Sequence, residues 1–386
     1  MTPPSLALGG VRTWDGVASA SRAADLWIDE GRIAASAPAH ATPIDLHGCT
    51  AIPGLIDAHA HLCFNAGSDW RAVYDSDTPS RLTLRMARAG RAMLEAGITT
   101  VRDLGAPTDL AVSLREAFAT GLARGPRLLV SGAPITTTGG HCHFMGGEAD
   151  GDLEVRKAVR ERVKAGCDWI KVMATGGNMT RGTNTLAPQY TVAELAAVVD
   201  DAHRLRRKVT AHCHGTAGIR NAVAAEVDMI EHCSFTGAGT IDYDPELAKE
   251  IAQRGIVISP TVSVGYQRWP DEGLRKRRGE VLRSLRDAGC RFIMSTDCGI
   301  PGVPHGQLAG GMQVLAELSG LPPVEVLKLA TSTSAEILGL EGRGTLLPGS
   351  VADVLVVDGD PTADLGALTR VRMVILGGEV VYRALS

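Results

Sequence analysis

The chain has 386 residues, 45% of them hydrophobic and 21% charged, which supplies at least one large core and excludes a disordered or collagen-like chain. With 39 Lys+Arg against 43 Asp+Glu the formal charge is -4, and 4% of residues are aromatic, so neither a basic nucleic-acid face nor a base-stacking platform is expected. No window approaches the ~18 to 20 unbroken apolar residues of a membrane span, the start MTPPSLALGG has no basic segment ahead of an apolar one, and the eight cysteines form no CxxC pair, so a cytoplasmic protein without membrane, structural zinc or disulfide scaffold is expected.

Residues 1–52 read as short strands broken by turns: LALGG, VRTWDG and ADLWIDEGRIAAS, where Asp29-Glu30-Gly31 offers a hairpin turn. Residues 53–343 alternate. Eight apolar, β-branched runs (TAIPGLIDAHAHL, ITTVRDLG, PRLLVSGAPI, DWIKVMATGG, KVTAHCHG, DMIEHCSF, IVISPTVSV and RFIMSTDCG) are separated by helix-period segments such as RLTLRMARAGRAMLEAG and TVAELAAVVDDAHRLRRK. That rhythm predicts an α/β protein with a (β/α)8 TIM-like barrel. A doubly wound open sheet is the rival, but it would gather ligand residues at one switch point, whereas here polar residues end nearly every strand. The run Arg275-Lys276-Arg277-Arg278 reads as a solvated helix face, flanked by Leu274, Val281 and Leu282 at helical spacing. Residues 344–386 return to strands, VADVLVVDGDP and VRMVILGGEVVYR, with Gly377-Gly378 as a second hairpin turn. Neither end has enough strands for a stable sheet, so together they predict one small β-sandwich domain.

His59 and His61 lie two apart at the end of an apolar run, so on a strand they share a face. Alone this pair is a weak signal. It gains force because Lys171, His212, His232 and Asp297 close four further runs in the same way. Barrel sites gather at the C-terminal ends of strands, so these six residues would converge although the sequence separates them. Imidazole and carboxylate ligands suit zinc, manganese or similar divalent ions.

PGLIDAHAHL, the strand-end lysine, the two later histidines, STD and the tail GRGTLLPGSVADVLVVDGDP together resemble the amidohydrolase superfamily from about residue 8 to residue 382. TTTGGH, IKVMATGG and APQYT resemble its imidazolonepropionase-related branch, which contains Xaa-Pro dipeptidase-like and carboxypeptidase-like enzymes. The resemblance implies two divalent metal ions, with zinc expected: His59 and His61 on the more buried one, His212 and His232 on the second, and a carboxylated Lys171 bridging them. Asp297 would touch metal and carry the proton. A carbamate also makes chemical sense, because a protonated lysine beside two cations would be repelled. The implied activity is hydrolysis of an amide bond in a small molecule, a dipeptide or an N-acyl amino acid. The rival readings are a mononuclear zinc deaminase or cyclic-amide (imidazolone-type) hydrolase, and a non-catalytic scaffold. Deaminases of the superfamily place a glutamate shortly after the strand-five histidine, where this chain has Cys213, His214, Gly215 and Thr216, and a scaffold should have lost a ligand.

Around the metals, the resemblance gives a histidine at the His141 position to substrate binding, on a glycine-flanked loop that also carries His143, which has an ordinary loop role as its other reading. His214 shares strand parity with His212 and could line the same mouth or act behind it. Tyr190 is a candidate hydroxyl donor, with packing as the alternative. Cys213, Cys233 and Cys298 neighbour inward residues and so should face the helices as small hydrophobes, while Cys142 is left unassigned. Asp103 could orient a metal histidine or cap the following helix. The partner is a small-molecule substrate, with a homo-oligomer possible.

Overall fold

The computed structural model describes residues 3–269 and 271–384. The apolar runs of the middle of the chain become parallel strands because most are buried on both faces and each is followed by helix that carries the chain back. These strands are β1 (Leu55–Ala60), β2 (Ile98–Asp103), β3 (Arg127–Val130), β4 (Trp169–Met173), β5 (Lys208–Gly215), β6 (Met229–Gly237), β7 (Val257–Ser259) and β8 (Arg291–Phe292). They pair in two arcs, β3-β2-β1 and β4-β5-β6-β7-β8. Single bridges join the arc edges, Ile135 to Val172 on one side and Ala60 to Cys298 on the other.

The ladders are therefore less continuous than eight full strands would give, and local sequence accounts for both gaps. After β3 the chain meets Pro134, which has no N–H to donate. Beside β1, the Asp57 carboxylate accepts both the Thr296 N–H (3.1 Å) and its hydroxyl (2.5 Å), so a side chain occupies what would be ladder positions. Backbone contact resumes immediately beyond, with the Asp297 N–H donating to the His59 carbonyl at 2.8 Å.

The helices show why they form where they do. Pro79–Glu95 opens on Thr78, whose hydroxyl accepts the Arg81 N–H, and it buries Leu82, Met86, Ala89, Met93 and Leu94 at three- and four-residue intervals. Each such leucine or methionine contributes roughly 1.5–3 kcal/mol. Val192–Arg204 starts from a capping box of Thr191 and Glu194. The Glu272–Asp287 helix corrects an expectation: Lys276 and Arg277 are exposed, but Arg278 is 1% exposed and shares the inward stripe of Val281, Leu282 and Leu285.

Both chain ends meet in one sheet, because Cys49–Pro53 pairs antiparallel with Val354–Asp358. A second sheet, built from Leu6–Gly9, Leu26–Asp29, Arg32–Ala34 and Thr42–Asp45, shares a core with it through Leu8, Ile28, Ala51, Val356 and Ile375. The Glu30-Gly31 and Gly377-Gly378 turns have positive φ at both positions (47° and 77°, 57° and 88°), matching the twist of the hairpins they close. Among the described residues no helix is long and apolar enough to cross a membrane.

Candidate metal centre

The ends of β1, β4, β5 and β6 and the segment after β8 meet at a cavity of about 370 Å³ lined by His59, His61, Lys171, His212, His232 and Asp297. Two clusters of potential ligand atoms form there, the His59 and His61 nitrogens with an Asp297 carboxylate oxygen, and the nitrogens of His212, His214 and His232.

In the first cluster each ring is tied down by its outer nitrogen. His59 Nδ1 lies 2.8 Å from Glu231 Oε2, and His61 Nδ1 lies 3.1 Å from the Gly105 carbonyl. Both Nε2 atoms consequently face inward, 3.3 Å apart, and each lies 3.2 Å from Asp297 Oδ1. A tetrahedral cation held at ~2.0–2.1 Å separates its ligand atoms by about 3.3 Å, so this triangle has the edge length of a metal face. Gly105 is required for close approach, since a Cβ there would sit 2.8 Å from the His61 ring.

In the second cluster, His212 Nε2 faces the Gly176 carbonyl at 3.2 Å and His232 Nδ1 faces the Thr261 hydroxyl at 2.8 Å. Their remaining nitrogens, His212 Nδ1 and His232 Nε2, are 2.8 Å apart. His214 stacks on His232 at 4.5 Å and is tied through Nδ1 to Ser234 Oγ at 2.8 Å. Burial and the neighbouring imidazoles push His212 and His232 well below the usual histidine range, so both rings are neutral and able to bind a cation.

Lys171 is 2% exposed and its Nζ has no hydrogen-bond partner. Burial lowers its pKa, as expected for an ammonium taken from water. The described side chains thus leave this amine unsatisfied beside two clusters of potential metal-ligand atoms. Burial opposes ionisation of Asp297, yet His59 and His61 hold its carboxyl below the ordinary value.

Other expected residues separate. His141 lines the cavity, 4.6 Å ring to ring from His212, with Nδ1 unpartnered, and burial drives its pKa down to about 3. Gly177 makes room for it, because a Cβ would lie 2.4 Å from His141 Nε2. His214 also lines the cavity. Tyr190 does not: its hydroxyl donates to the Ala149 carbonyl at 2.7 Å and its ring is 2% exposed in the helix-side core, which corrects its reading as a substrate donor. His143 is likewise outside the lining, turned toward Glu148 at 3.8 Å. Cys213, Cys233 and Cys298 are buried in the hydrophobic clusters, whereas Cys142 lines the cavity. Asp103 accepts from the Leu62 and Gly105 N–H groups at 2.9 and 3.1 Å, fixing the backbone on both sides of the His61 ring, and the next helix has Pro107 at its N-cap.

Sequence reasoning missed the layer beneath. Arg102 and Glu231, both fully buried, form an ion pair at 2.9 Å, and Arg102 also donates to the Ala58 carbonyl and stacks 4.5 Å over Trp169. Burial works against a charged Glu231, but His59 and Arg102 hold it far below the usual carboxylate range. Much of the remaining wall is apolar or aromatic, notably Phe64, Trp70, Met179, Tyr266 and Ile300, with Asn178, Thr261, Ser263 and Thr296 as polar members.

The amidohydrolase family matches residues 50–381 of the chain. Ochratoxinase from Aspergillus niger is 31% identical over 357 residues, covering 81% of this chain and 71% of that protein. Imidazolonepropionase from Paracoccus denitrificans is 25% identical, covering 92% and 94%. A solved Xaa-Pro dipeptidase with methionine in its active site superposes with a TM-score of 0.87 at 27% identity, covering 98% of this chain and all of that one.

Proposed function

The chain belongs to the amidohydrolase family of hydrolases acting on C–N bonds, and from that premise we propose that it is a binuclear metal-dependent enzyme cleaving an amide in a dipeptide or an N-acyl amino acid. In this reading His59 and His61 would hold one divalent ion, His212 and His232 would hold the second, and Lys171, once carboxylated, would supply an anionic oxygen ligand. Zinc is the metal we propose, from the nitrogen-rich donor set. When bound, the ions make a water acidic near neutral pH and polarise the scissile carbonyl. Asp297 keeps Oδ1 toward His59 and His61, which leaves Oδ2 to take the proton of the attacking water and return it to the leaving amine nitrogen. His141, neutral and with a free ring nitrogen, binds the substrate carboxylate, and His214 stands beside it as a second contact. The apolar walls hold the substrate side chain and keep bulk water from the scissile bond.

The observation that carries the proposal is the buried, partnerless Lys171 Nζ in a cavity shared with two donor clusters. Counting metal per chain by elemental analysis, on protein purified without chelator, tests it: two ions support the reading and none overturns it. One ion would favour a mononuclear deaminase or cyclic-amide hydrolase, which draws on the 2.8 Å spacing of His212 Nδ1 and His232 Nε2, a hydrogen-bond length, and on the imidazolonepropionase relative.

We further read the two strand arcs and their bridges as one (β/α)8 barrel over residues 53–343, with the sheets of residues 1–52 and 344–386 forming a β-sandwich. A cytoplasmic location agrees with eight cysteines that are all buried and unpaired.

A further inference from the structure

Arg278 is carried by the Glu272–Asp287 helix, on the outer side of the strand layer, and reaches inward to the ends of two strands. Its Nη1 donates to the Cys233 carbonyl at 2.9 Å, and its Nη2 to the His232 carbonyl at 2.6 Å and the Pro260 carbonyl at 3.2 Å. Nε has no partner, and among the described residues no side chain accepts from the guanidinium. A guanidinium that is 1% exposed and bound only to carbonyls is costly to bury, so these three acceptors must repay its lost hydration.

The acceptors sit where the β5–β6 pairing shifts register beyond His232, and just past the end of β7. His232, Cys233 and Thr261 have φ of 66°, 45° and 50°, a region that residues with side chains seldom adopt. A planar fork of donors can collect several such carbonyls at once. Pro260 directly precedes Thr261, whose hydroxyl lies 2.8 Å from His232 Nδ1. One guanidinium thus holds the backbone that carries the His232 ring and the residue that orients it. His59 is anchored separately, from inside, by Glu231 and its partner Arg102.

We infer that Arg278 is a positioning residue for His232, and that its loss would disable the second donor cluster while sparing the first. The geometric claim stands on the contacts alone, whereas its consequence for metal content rests on the binuclear reading. The test uses the full chain as purified, in wild type, Arg278→Met and Arg278→Lys. Diethyl pyrocarbonate, which acylates accessible neutral imidazole, is followed by peptide mapping at His232 and His59, and metal is counted on the same samples. The expected result is His232 labelling at least about tenfold faster in the methionine variant, His59 unchanged, two ions falling to about one, and intermediate values for lysine, which can still donate to one or two carbonyls. His232 labelling at the wild-type rate would overturn the inference, and so would His59 accelerating by the same factor, since that reports general loosening. Fewer than two ions in the wild type would instead defeat the binuclear reading, and the ratio of the two labelling rates would still decide the role of Arg278. If the methionine variant does not fold, the lysine variant is judged by the same ratio.

Discussion

Replacing Glu231 with glutamine changes one charge and almost no volume, and the hydrogen-bond inventory shows why it should be severe. Glu231 accepts from His59 Nδ1 (2.8 Å), Arg102 Nη2 (2.9 Å) and the Thr210 hydroxyl (2.6 Å), the last two on the same oxygen. Glutamine has one acceptor oxygen and one donor NH2. Facing Arg102 and Thr210, the oxygen satisfies both, and the NH2 then meets His59 Nδ1. His59 must become an acceptor there, which moves its proton to Nε2, the atom 3.2 Å from Asp297 Oδ1 and needed for a cation. Replacing a partner that fixes a ligand's tautomer costs about 10- to 100-fold in metal affinity or activity, or ~1.4 to 2.8 kcal/mol. Losing the charge also leaves Arg102 buried without its counterion, and breaking such a pair costs roughly 3–5 kcal/mol of stability. Metal affinity by competition with a chromogenic chelator, kcat/KM and urea unfolding measure the three effects. The double variant Glu231→Gln/Arg102→Met should recover part of the stability but none of the metal affinity, because only the stability loss comes from the stranded arginine. A glutamine variant within twofold of wild type in metal affinity and kcat/KM would refute the tautomer argument.

Lys171→Ala should lose bound metal and nearly all turnover, with partial rescue by a short carboxylate in the medium; two metals and a normal kcat in that variant would exclude a lysine bridge. Asp297→Asn should keep much of its metal while kcat falls ~10² to 10⁴-fold, as for loss of a positioned acid-base group, whereas His59→Ala should lower metal content and rate together. His141→Ala should reduce kcat/KM by roughly ten- to a hundredfold for a peptide with a free carboxylate and far less for its C-terminal amide, since charge-assisted hydrogen bonds contribute ~1.5–3 kcal/mol; equal losses would remove the carboxylate role. Away from the site, hydrogen bonding from Arg160, with help from Arg204, holds the Asp201 carboxyl below its ordinary value of 3.8. A depressed folded-state pKa stabilises above the ordinary value and is lost as pH falls through the folded one, so wild type and Asp201→Asn should differ in unfolding midpoint at pH 6 and converge in strong acid, as urea titrations at both pH values would report.

The strand ends were legible because the histidines and Asp297 fall near the close of apolar runs, while Lys171 stands out as the one charged residue inside Trp169–Met173, and the structure brings His59, His61, Lys171, His212, His232 and Asp297 to one cavity. The helical period of the Arg275–Arg278 run was readable, but Arg278 falls at the same spacing as Leu274, Val281, Leu282 and Leu285, so it belongs to the inward stripe and not to the solvated face assigned to all four basic residues. For Tyr190 and His143 the sequence left two readings open, because both lie on connections, where it gives no parity to say which way a side chain turns; the structure packs Tyr190 and turns His143 toward Glu148. Arg102 and Glu231 escaped because a strand buried on both faces carries no alternation, so a polar residue inside it looks the same whether it faces the helices or the interior.

Parity failed most where the backbone is bent. Five of the ten described residues with positive φ other than glycine (Cys142, His232, Cys233, Thr261 and Asp297) lie at or beside the candidate site. A left-handed residue turns the chain out of the ladder, which lets Glu231 and His232, neighbours that a flat strand would point to opposite faces, both contact groups of the site. Each such residue costs on the order of 1–3 kcal/mol and persists only if its surroundings over-determine it. Here the surroundings are side chains in place of ladder partners: Arg278 on the His232, Cys233 and Pro260 carbonyls, Thr261 on the His232 ring, and Asp57 on Thr296 beside Asp297. The same substitution of side chains for backbone explains why the strand ladders break into two arcs beside β1 and why the donor atoms converge there. Interrupted pairing and ligand geometry are thus one feature of the sequence, so variants that restore regular strand conformation at His232 or Asp297 should gain stability only by losing the donor geometry.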